Sequence, residues 1–244
     1  MVPAFKLTSP QNGTEYWIFA EAPDPAREPG PWPAVAFMDG DNLFSFGIEG
    51  YRAARAAGEV PPALLVGVGY GAGFGKPANM RVRDYTPTPL ATEESSGGAE
   101  AFHGFLVDTL WPELTRRYPL GPDVRALAGH SLGSLAVLHA LFRPRPYFTH
   151  FLAGAPSIWW DDRSLLGRIA DLRERQERLP GRLYLGVGAE DTPSMTGDLA
   201  LLERQLKDRP FEGLGVLAER FPGRNHYDVL SDQFRSGLRA LLGS

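Results

Sequence analysis

One serine of the chain lies in a motif that could make it a nucleophile. Residues 129–133 read Gly-His-Ser-Leu-Gly, a G-x-S-x-G sequence centred on Ser131. A serine hydroxyl attacks a carbonyl carbon efficiently only when a neighbouring base removes its proton and an acid orients that base. The motif is short, and in a chain with 28 glycines it also arises by chance. Its meaning therefore depends on the surrounding elements and on the partners that the chain supplies.

The residues on either side of the motif favour a turn between a strand and a helix. Residues 124–128 are short and largely apolar, which is typical of a buried strand. Residues 132–142 are rich in Leu and Ala on nearly every face, which is typical of a buried helix. A G-x-S-x-G at such a turn is the nucleophile elbow of α/β-hydrolases. The turn would hold Ser131 with its hydroxyl above the carboxyl ends of the strands.

The general base should be a histidine that follows the last strand, because α/β-hydrolases order their catalytic residues as nucleophile, acid and histidine. Of the five histidines, His226 follows the last predicted strand and lies in a polar segment. His130 lies inside the motif, and we expect its side chain to point away from the site. We interpret the others as packed, surface or strand-opening residues: His103, His139 and His150. The sequence therefore assigns the base to His226.

The acid should follow the strand predicted at residues 182–188. Two carboxylates come directly after it, Glu190 and Asp191. The acid in this fold commonly lies three residues after a strand-ending glycine, which favours Asp191. Asp198 and Asp228 are weaker candidates because they fall inside predicted helices.

An oxyanion hole needs two backbone N–H groups aimed at the developing negative charge. The residue after the nucleophile, Leu132, supplies one of them. The second should come from the loop after the strand predicted at residues 34–38, where we assign it to the N–H of Asp41. The acidic side chain at that position would be incidental to the chemistry.

The elements that position these residues alternate along the chain. Apolar runs predict strands at 14–20, 34–38, 63–70, 124–128, 148–154, 182–188 and 214–221. Helical patterns occupy 46–58, 99–118, 132–142, 163–179, 197–208 and 227–242. Such alternation predicts an α/β class with the α/β-hydrolase fold, a mostly parallel sheet with helices on both faces. Residues 76–98 lack periodicity and indicate a loop at the site. We interpret residues 1–244 as a single domain.

Composition excludes several classes of function. Hydrophobic and charged contents of 43% and 22% are ordinary for a globular chain of 244 residues. The net charge is −4 and the basic residues are scattered, so we expect no nucleic-acid partner. The chain has no Cys and its histidines lack ligand spacing, so we expect no metal and no other cofactor. Without a signal-peptide pattern or an apolar run of about 20 residues, we expect a cytoplasmic protein with no membrane partner.

Taken together, these residues resemble the putative-esterase family of α/β-hydrolases, which contains enterochelin esterases, esterase D and the antigen 85 mycolyltransferases. The likeness is greatest to small members similar to siderophore esterases. The matching segments are Met-Asp-Gly-Asp at 38–41, Arg-Val-Arg-Asp-Tyr-Thr-Pro at 81–87, the motif at 129–133, Ala-Pro-Ser-Ile-Trp-Trp at 155–160, Gly-Ala-Glu-Asp at 188–191, and His226. The second and fourth segments are much more specific than the G-x-S-x-G motif.

The resemblance implies residues for substrate binding as well as for catalysis. Siderophore esterases of this family hold catecholate rings with basic and aromatic side chains. The resemblance therefore implies that Arg81 or Arg83 and Trp159 or Trp160 line the pocket, although one tryptophan of the pair could belong to the core. In the family the acid varies and is sometimes absent, so a Ser–His dyad stays open.

Three functions compete. The first is a serine esterase that acts through an acyl-enzyme intermediate on a small-molecule ester, such as a catecholate siderophore or another aromatic ester. The second is an acyltransferase that uses the same residues. The third is a non-catalytic binding protein that keeps the fold. The presence of Ser131, Asp191 and His226 argues against the third.

Overall fold

A computed structural model describes residues 1–243, and it is built around one eight-stranded sheet. The strands are β1 (Phe5–Thr8), β2 (Glu15–Glu21), β3 (Trp32–Phe37), β4 (Leu64–Gly69), β5 (Leu120–His130), β6 (His150–Gly154), β7 (Arg178–Gly188) and β8 (Glu212–Phe221). The helices are α1 (Phe44–Ala56), α2 (Arg81–Tyr85), α3 (Ala99–Phe105), α4 (Trp111–Arg117), α5 (Leu132–Leu141), α6 (Trp160–Arg175), α7 (Pro193–Asp208) and α8 (Leu230–Leu242).

The eight strands have the order β1-β2-β4-β3-β5-β6-β7-β8. The pairs of β1 with β2 and of β2 with β4 are antiparallel, and every pair from β4–β3 to β7–β8 is parallel. Parallel strands end at the same side, and ligands of such sheets bind outside those carboxyl ends. The loops after β3, β5, β6, β7 and β8 therefore meet in one place.

Helices cover both faces of the sheet, which confirms the α/β-hydrolase architecture that the sequence predicts. On one face α1 and α8 pack against each other and against the strands. On the other face α3 to α7 contribute to a larger apolar cluster. Because the central strands are buried on both sides, they have nearly continuous apolar sequences, and all six residues of β4 are buried.

The structure differs from the predicted elements in four places. The short strand β1 and the five-residue helix α2 were not predicted, since segments this short carry almost no periodicity. The helix predicted at residues 99–118 contains a π-helical turn, Leu106–Leu110, directly before Pro112, whose missing N–H cannot bond to the preceding turn. The helix predicted at 163–179 ends earlier, because β7 has already begun at Arg178.

No helix within residues 1–243 combines the length and the apolar sequence that crossing a membrane requires.

The turn between β5 and α5 carries the predicted nucleophile. Ser131 has φ 58° and ψ −123°, a region that side-chain-bearing residues rarely adopt. Its N–H donates a hydrogen bond of 2.9 Å to the carbonyl oxygen of Gly154 at the end of β6. A Cβ atom on Gly129 would lie 2.4 Å from the carbonyl group of Gly133. The missing side chain of Gly129 therefore allows strand and helix to approach closely, and the backbone of Gly133 is the point of contact.

We predict that Gly129→Ala lowers the free energy of unfolding by about 1–3 kcal/mol, because the added methyl group forces backbone apart. Gly167→Ala is the matched control, since a Cβ atom there meets nothing within 4 Å in the exposed part of α6. It should instead stabilise the protein by up to about 1 kcal/mol. Denaturant unfolding of both variants measures the difference, and equal effects would contradict the packing argument.

Candidate active site

Ser131 lines the wall of a cavity of about 570 Å³ at the carboxyl edge of the sheet. Its hydroxyl oxygen lies 3.3 Å from the hydroxyl oxygen of Ser157, which is fully buried after β6. The N–H of Ser157 also donates a hydrogen bond of 3.3 Å to the carbonyl oxygen of Ser131. Ser157 therefore supports the turn at Ser131 from the interior of the protein.

His226 lies on the same cavity and is held from behind by Asp191. Nδ1 of His226 is 2.8 Å from Oδ2 of Asp191, and the carboxylate side chain is fully buried. The other carboxylate oxygen accepts a hydrogen bond of 2.6 Å from the N–H of Thr192. A carboxylate fixed in this way orients the imidazole, so that Nε2 is the nitrogen left to accept a proton.

The other predicted acids lie elsewhere. Glu190 also follows β7, but it is exposed to solvent. Asp198 pairs with Arg163 at 2.7 Å, within α6 and α7. Asp228 accepts hydrogen bonds from the backbone and side chain of Asn225. Of the four carboxylates considered, the structure thus brings Asp191 against the imidazole.

The two predicted oxyanion donors, Leu132 and Asp41, have backbone N–H groups that are free, within the described residues, to bind an oxyanion. Leu132 opens α5, and the first N–H groups of a helix have no partner within it. The N–H of Asp41 has no acceptor among residues 1–243, whereas that of Gly40 is bound to Val68. The Asp41 carboxylate accepts hydrogen bonds from the N–H groups of Tyr70 and Gly71. The side chain that the sequence analysis treated as incidental thus fixes this loop against the loop after β4.

Asp39 and Arg81 form a buried ion pair beside this loop. Nε and Nη2 of Arg81 donate to the two carboxylate oxygens of Asp39, at 2.8 and 3.0 Å. Asp39 has φ 57°, and its N–H donates to the hydroxyl of Tyr85 at 2.8 Å. Burial raises the pKa of Asp39, and the guanidinium opposes that shift. Arg81 lines the cavity as predicted, but its charge is already matched by this carboxylate.

The other three predicted substrate residues do not line this cavity in the described chain. Nε of Arg83 donates to Asp84 and its Nη2 donates to Thr14, both at 2.7 Å. Trp160 is buried, and its indole N–H donates to the carbonyl oxygen of Thr88. The ring of Trp159 is 40% exposed and lies beside that of Trp160. One tryptophan of the pair thus belongs to the core.

Several lining residues were missed by sequence reasoning. Lys76 and Phe74 come from the glycine-rich loop after β4, and Tyr227 follows the histidine directly. The guanidinium of Arg81 lies 4.7 Å from the centre of the Phe74 ring. The lack of periodicity over residues 76–98 pointed to this loop, but it could not say which of its side chains face the serine.

The prediction for His130 was wrong. Its ring lines the cavity and its centre lies 4.5 Å from that of the His226 ring. Burial, aided by the neighbouring His226 and Arg81, lowers the pKa of His130 to about 3, so this imidazole stays neutral near pH 7. The variable residue before the nucleophile was expected to point away from the site, but the ring of His130, the last residue of β5, lies against His226 in the loop after β8.

Residues 1–243 contain no group of three or more His, Asp or Glu side chains that could hold a metal ion. The arrangement offers a serine hydroxyl and an oriented imidazole on one cavity, with backbone N–H groups at Leu132 and Asp41 that are unpaired within the described chain. Those groups are the components of acyl transfer.

The family model described as "Putative esterase" matches residues 9–238, which is nearly the whole chain. The chain belongs to this family. It is a hydrolase of carboxylic esters with the α/β-hydrolase fold.

Comparison with similar proteins supports the assignment of this chain to the family. It is 29% identical to the ferri-bacillibactin esterase BesA of Bacillus subtilis over 264 residues, which cover 97% of this chain and 88% of that protein. It is 35% identical over 140 residues to the siderophore triacetylfusarinine C esterase of Aspergillus fumigatus, and that alignment covers 56% of this chain and about half, 48%, of the relative. The crystal structure of the BES protein from Bacillus cereus superimposes with a TM-score of 0.82 at 28% identity, covering 97% of this chain and 92% of that one.

We predict that Asp191→Asn lowers the kcat for ester hydrolysis by about 10⁴-fold, because the amide no longer favours the required tautomer and charge of His226. Glu190→Gln is the control on the adjacent exposed residue, and it should leave kcat nearly unchanged. Steady-state kinetics on a p-nitrophenyl ester measure both. If Glu190→Gln lowers kcat strongly and Asp191→Asn does not, Glu190 is the acid. If both variants keep most of kcat, the enzyme uses a Ser–His dyad.

Proposed function

We propose that the esterase hydrolyses the ester bonds of a siderophore or a similar aromatic ester through Ser131, His226 and Asp191. The observation that carries this proposal is the hydrogen bond between Asp191 and His226, with His226 and Ser131 on one cavity wall. Each member follows a different strand of the parallel sheet in the order that α/β-hydrolases use.

The reaction has two halves. Nε2 of His226 takes the proton of the Ser131 hydroxyl while the oxygen attacks the ester carbonyl carbon. The negative charge that develops on the carbonyl oxygen is stabilised by the N–H groups of Leu132 and Asp41. The imidazolium then gives its proton to the departing alcohol, which leaves the acyl group on Ser131. Water, deprotonated by the same imidazole, attacks the acyl-enzyme. The imidazolium then returns the proton to the Ser131 oxygen as the bond to the acyl group breaks and the acid is released.

The cavity's chemistry favours an ester that is both aromatic and anionic. Phe74, Met80 and Tyr227 supply apolar and aromatic surface. Lys76 supplies a positive charge for which no ion-pair partner is found in residues 1–243, in contrast to Arg81 with its carboxylate. Catecholate and hydroxybenzoyl groups present a flat ring with anionic oxygens, and both features are matched there. The names of BesA and of the fungal esterase support a siderophore ester as the substrate.

We predict that Ser131→Ala abolishes ester hydrolysis, with kcat lowered on the order of 10⁶-fold, because the nucleophile itself is removed. A fluorophosphonate probe should label the wild-type protein and not this variant. Ser157→Ala serves as the comparison, since its hydroxyl is the nearest to that of Ser131. It should still be labelled, and labelling that survives in Ser131→Ala but is lost in Ser157→Ala would move the nucleophile.

We predict that Lys76→Met lowers kcat/KM about tenfold for a triscatecholate trilactone, because an interaction with a charged substrate oxygen is lost. The same variant should hydrolyse p-nitrophenyl acetate like the wild type, since that ester carries no such group. Lys207→Met is the control, because Lys207 is exposed in α7 and is not part of the cavity lining. If Lys76→Met changes kcat/KM equally for the two esters, the proposal of an anionic substrate is wrong. Only the general esterase activity then stands.

A further inference from the structure

We propose that His130 is a positioning residue that supports the ring of His226 in its catalytic orientation. The proposal deepens the function proposed above and rests on His226 acting as the general base. His130 itself would touch neither the substrate carbonyl nor the proton that is transferred. It would act by contact with the ring of His226, which limits how far that ring can turn.

The geometry of the two rings is the first support. Their centres lie 4.5 Å apart and their planes are inclined at 51°, so the rings are in tilted contact. The hydrogen bond from His226 to Asp191 fixes one nitrogen but leaves the ring free to rotate about that direction. Tyr227 approaches His226 edge-on at 5.2 Å, but it is 79% exposed and cannot hold the ring firmly. His130 is thus the buried aromatic surface against which the catalytic ring rests.

The second support is that His130 is itself rigidly held. It is 4% exposed, and Nε2 of Gln233 in α8 donates a hydrogen bond of 2.7 Å to its Nδ1. Gln233 is fully buried and lies against Gly154, where a Cβ atom would come within 2.4 Å of both side-chain amide atoms. The amide group therefore packs directly against the backbone of β6 at Gly154. A glutamine without other assigned function is fixed in the core, and its hydrogen bond orients His130.

The third support is the charge of His130. During hydrolysis His226 becomes an imidazolium, and a second positive charge at 4.5 Å would oppose that step. The charged or titratable groups that act on His130 are His226 and Arg81, both of which disfavour its protonation, while Gln233 is uncharged. Burial keeps the pKa of His130 at about 3, so the supporting ring is neutral wherever the base works.

The test compares two substitutions of His130. His130→Ala removes the ring, and we expect kcat on a p-nitrophenyl ester to fall about ten- to a hundredfold with KM little changed, since misplacement of a catalytic group by about 1 Å has effects of this size. His130→Phe restores a flat neutral ring, and we expect it to regain most of kcat.

His139→Ala is the matched control for loss of a buried histidine. His139 lies in α5, is 5% exposed, and has a pKa lowered by burial to about 4, but its ring contacts Arg168 rather than the site. We expect this variant to lower the melting temperature and to leave kcat nearly unchanged. An equal loss of kcat in His139→Ala, or a folded His130→Phe that stays as slow as His130→Ala, would show a purely structural role and overturn the proposal.

Gln233→Met provides a second route if His130→Ala does not fold. It keeps the ring of His130 and removes its hydrogen bond, so we expect a smaller fall in kcat with KM little changed. If Gln233→Met folds and has the wild-type kcat and KM, the proposal is overturned. An inactive wild-type protein, or one whose activity survives His226→Ala, would overturn the proposed function instead, so the two failures are distinct.

Discussion

The site depends on one backbone constraint, the sharp turn that holds Ser131 at positive φ between β5 and α5. The turn is possible because Gly129 and Gly133 allow strand and helix to touch, and it is clamped by a hydrogen bond to Gly154. The same geometry brings the His130 ring back toward the loop after β8. A strained serine persists only where its surroundings over-determine it, and here β6 and Ser157 supply that support.

Much of this arrangement could be predicted because its signals are local. The elbow is encoded in five consecutive residues, and the order of strands places His226 and Asp191 at the same edge. The choice of Asp191 over Glu190 depended on its offset from the end of β7, and the structure places Asp191 against the histidine. Central strands buried on both faces have apolar sequences that need no knowledge of their neighbours.

The remaining features depend on distant partners and could not be predicted from local patterns. Arg83 is directed by Asp84 and Thr14, and Trp160 by the carbonyl of Thr88. A basic or aromatic side chain in a site loop has the same sequence pattern whether it faces a ligand or a buried acceptor. His130 was placed wrongly for a related reason, because its ring direction is decided by Gln233, more than a hundred residues later.

The position of these residues along the chain has a consequence for synthesis, which proceeds from the N-terminus. A ribosome that has added the first 221 residues has made all eight strands and the elbow, but neither His226 nor Gln233. Domains generally fold as units, and α8 covers one face of the sheet only after the last turn of the chain has emerged. If Ser131 and His226 act as proposed, a chain that has reached only residue 221 carries the nucleophile without its base.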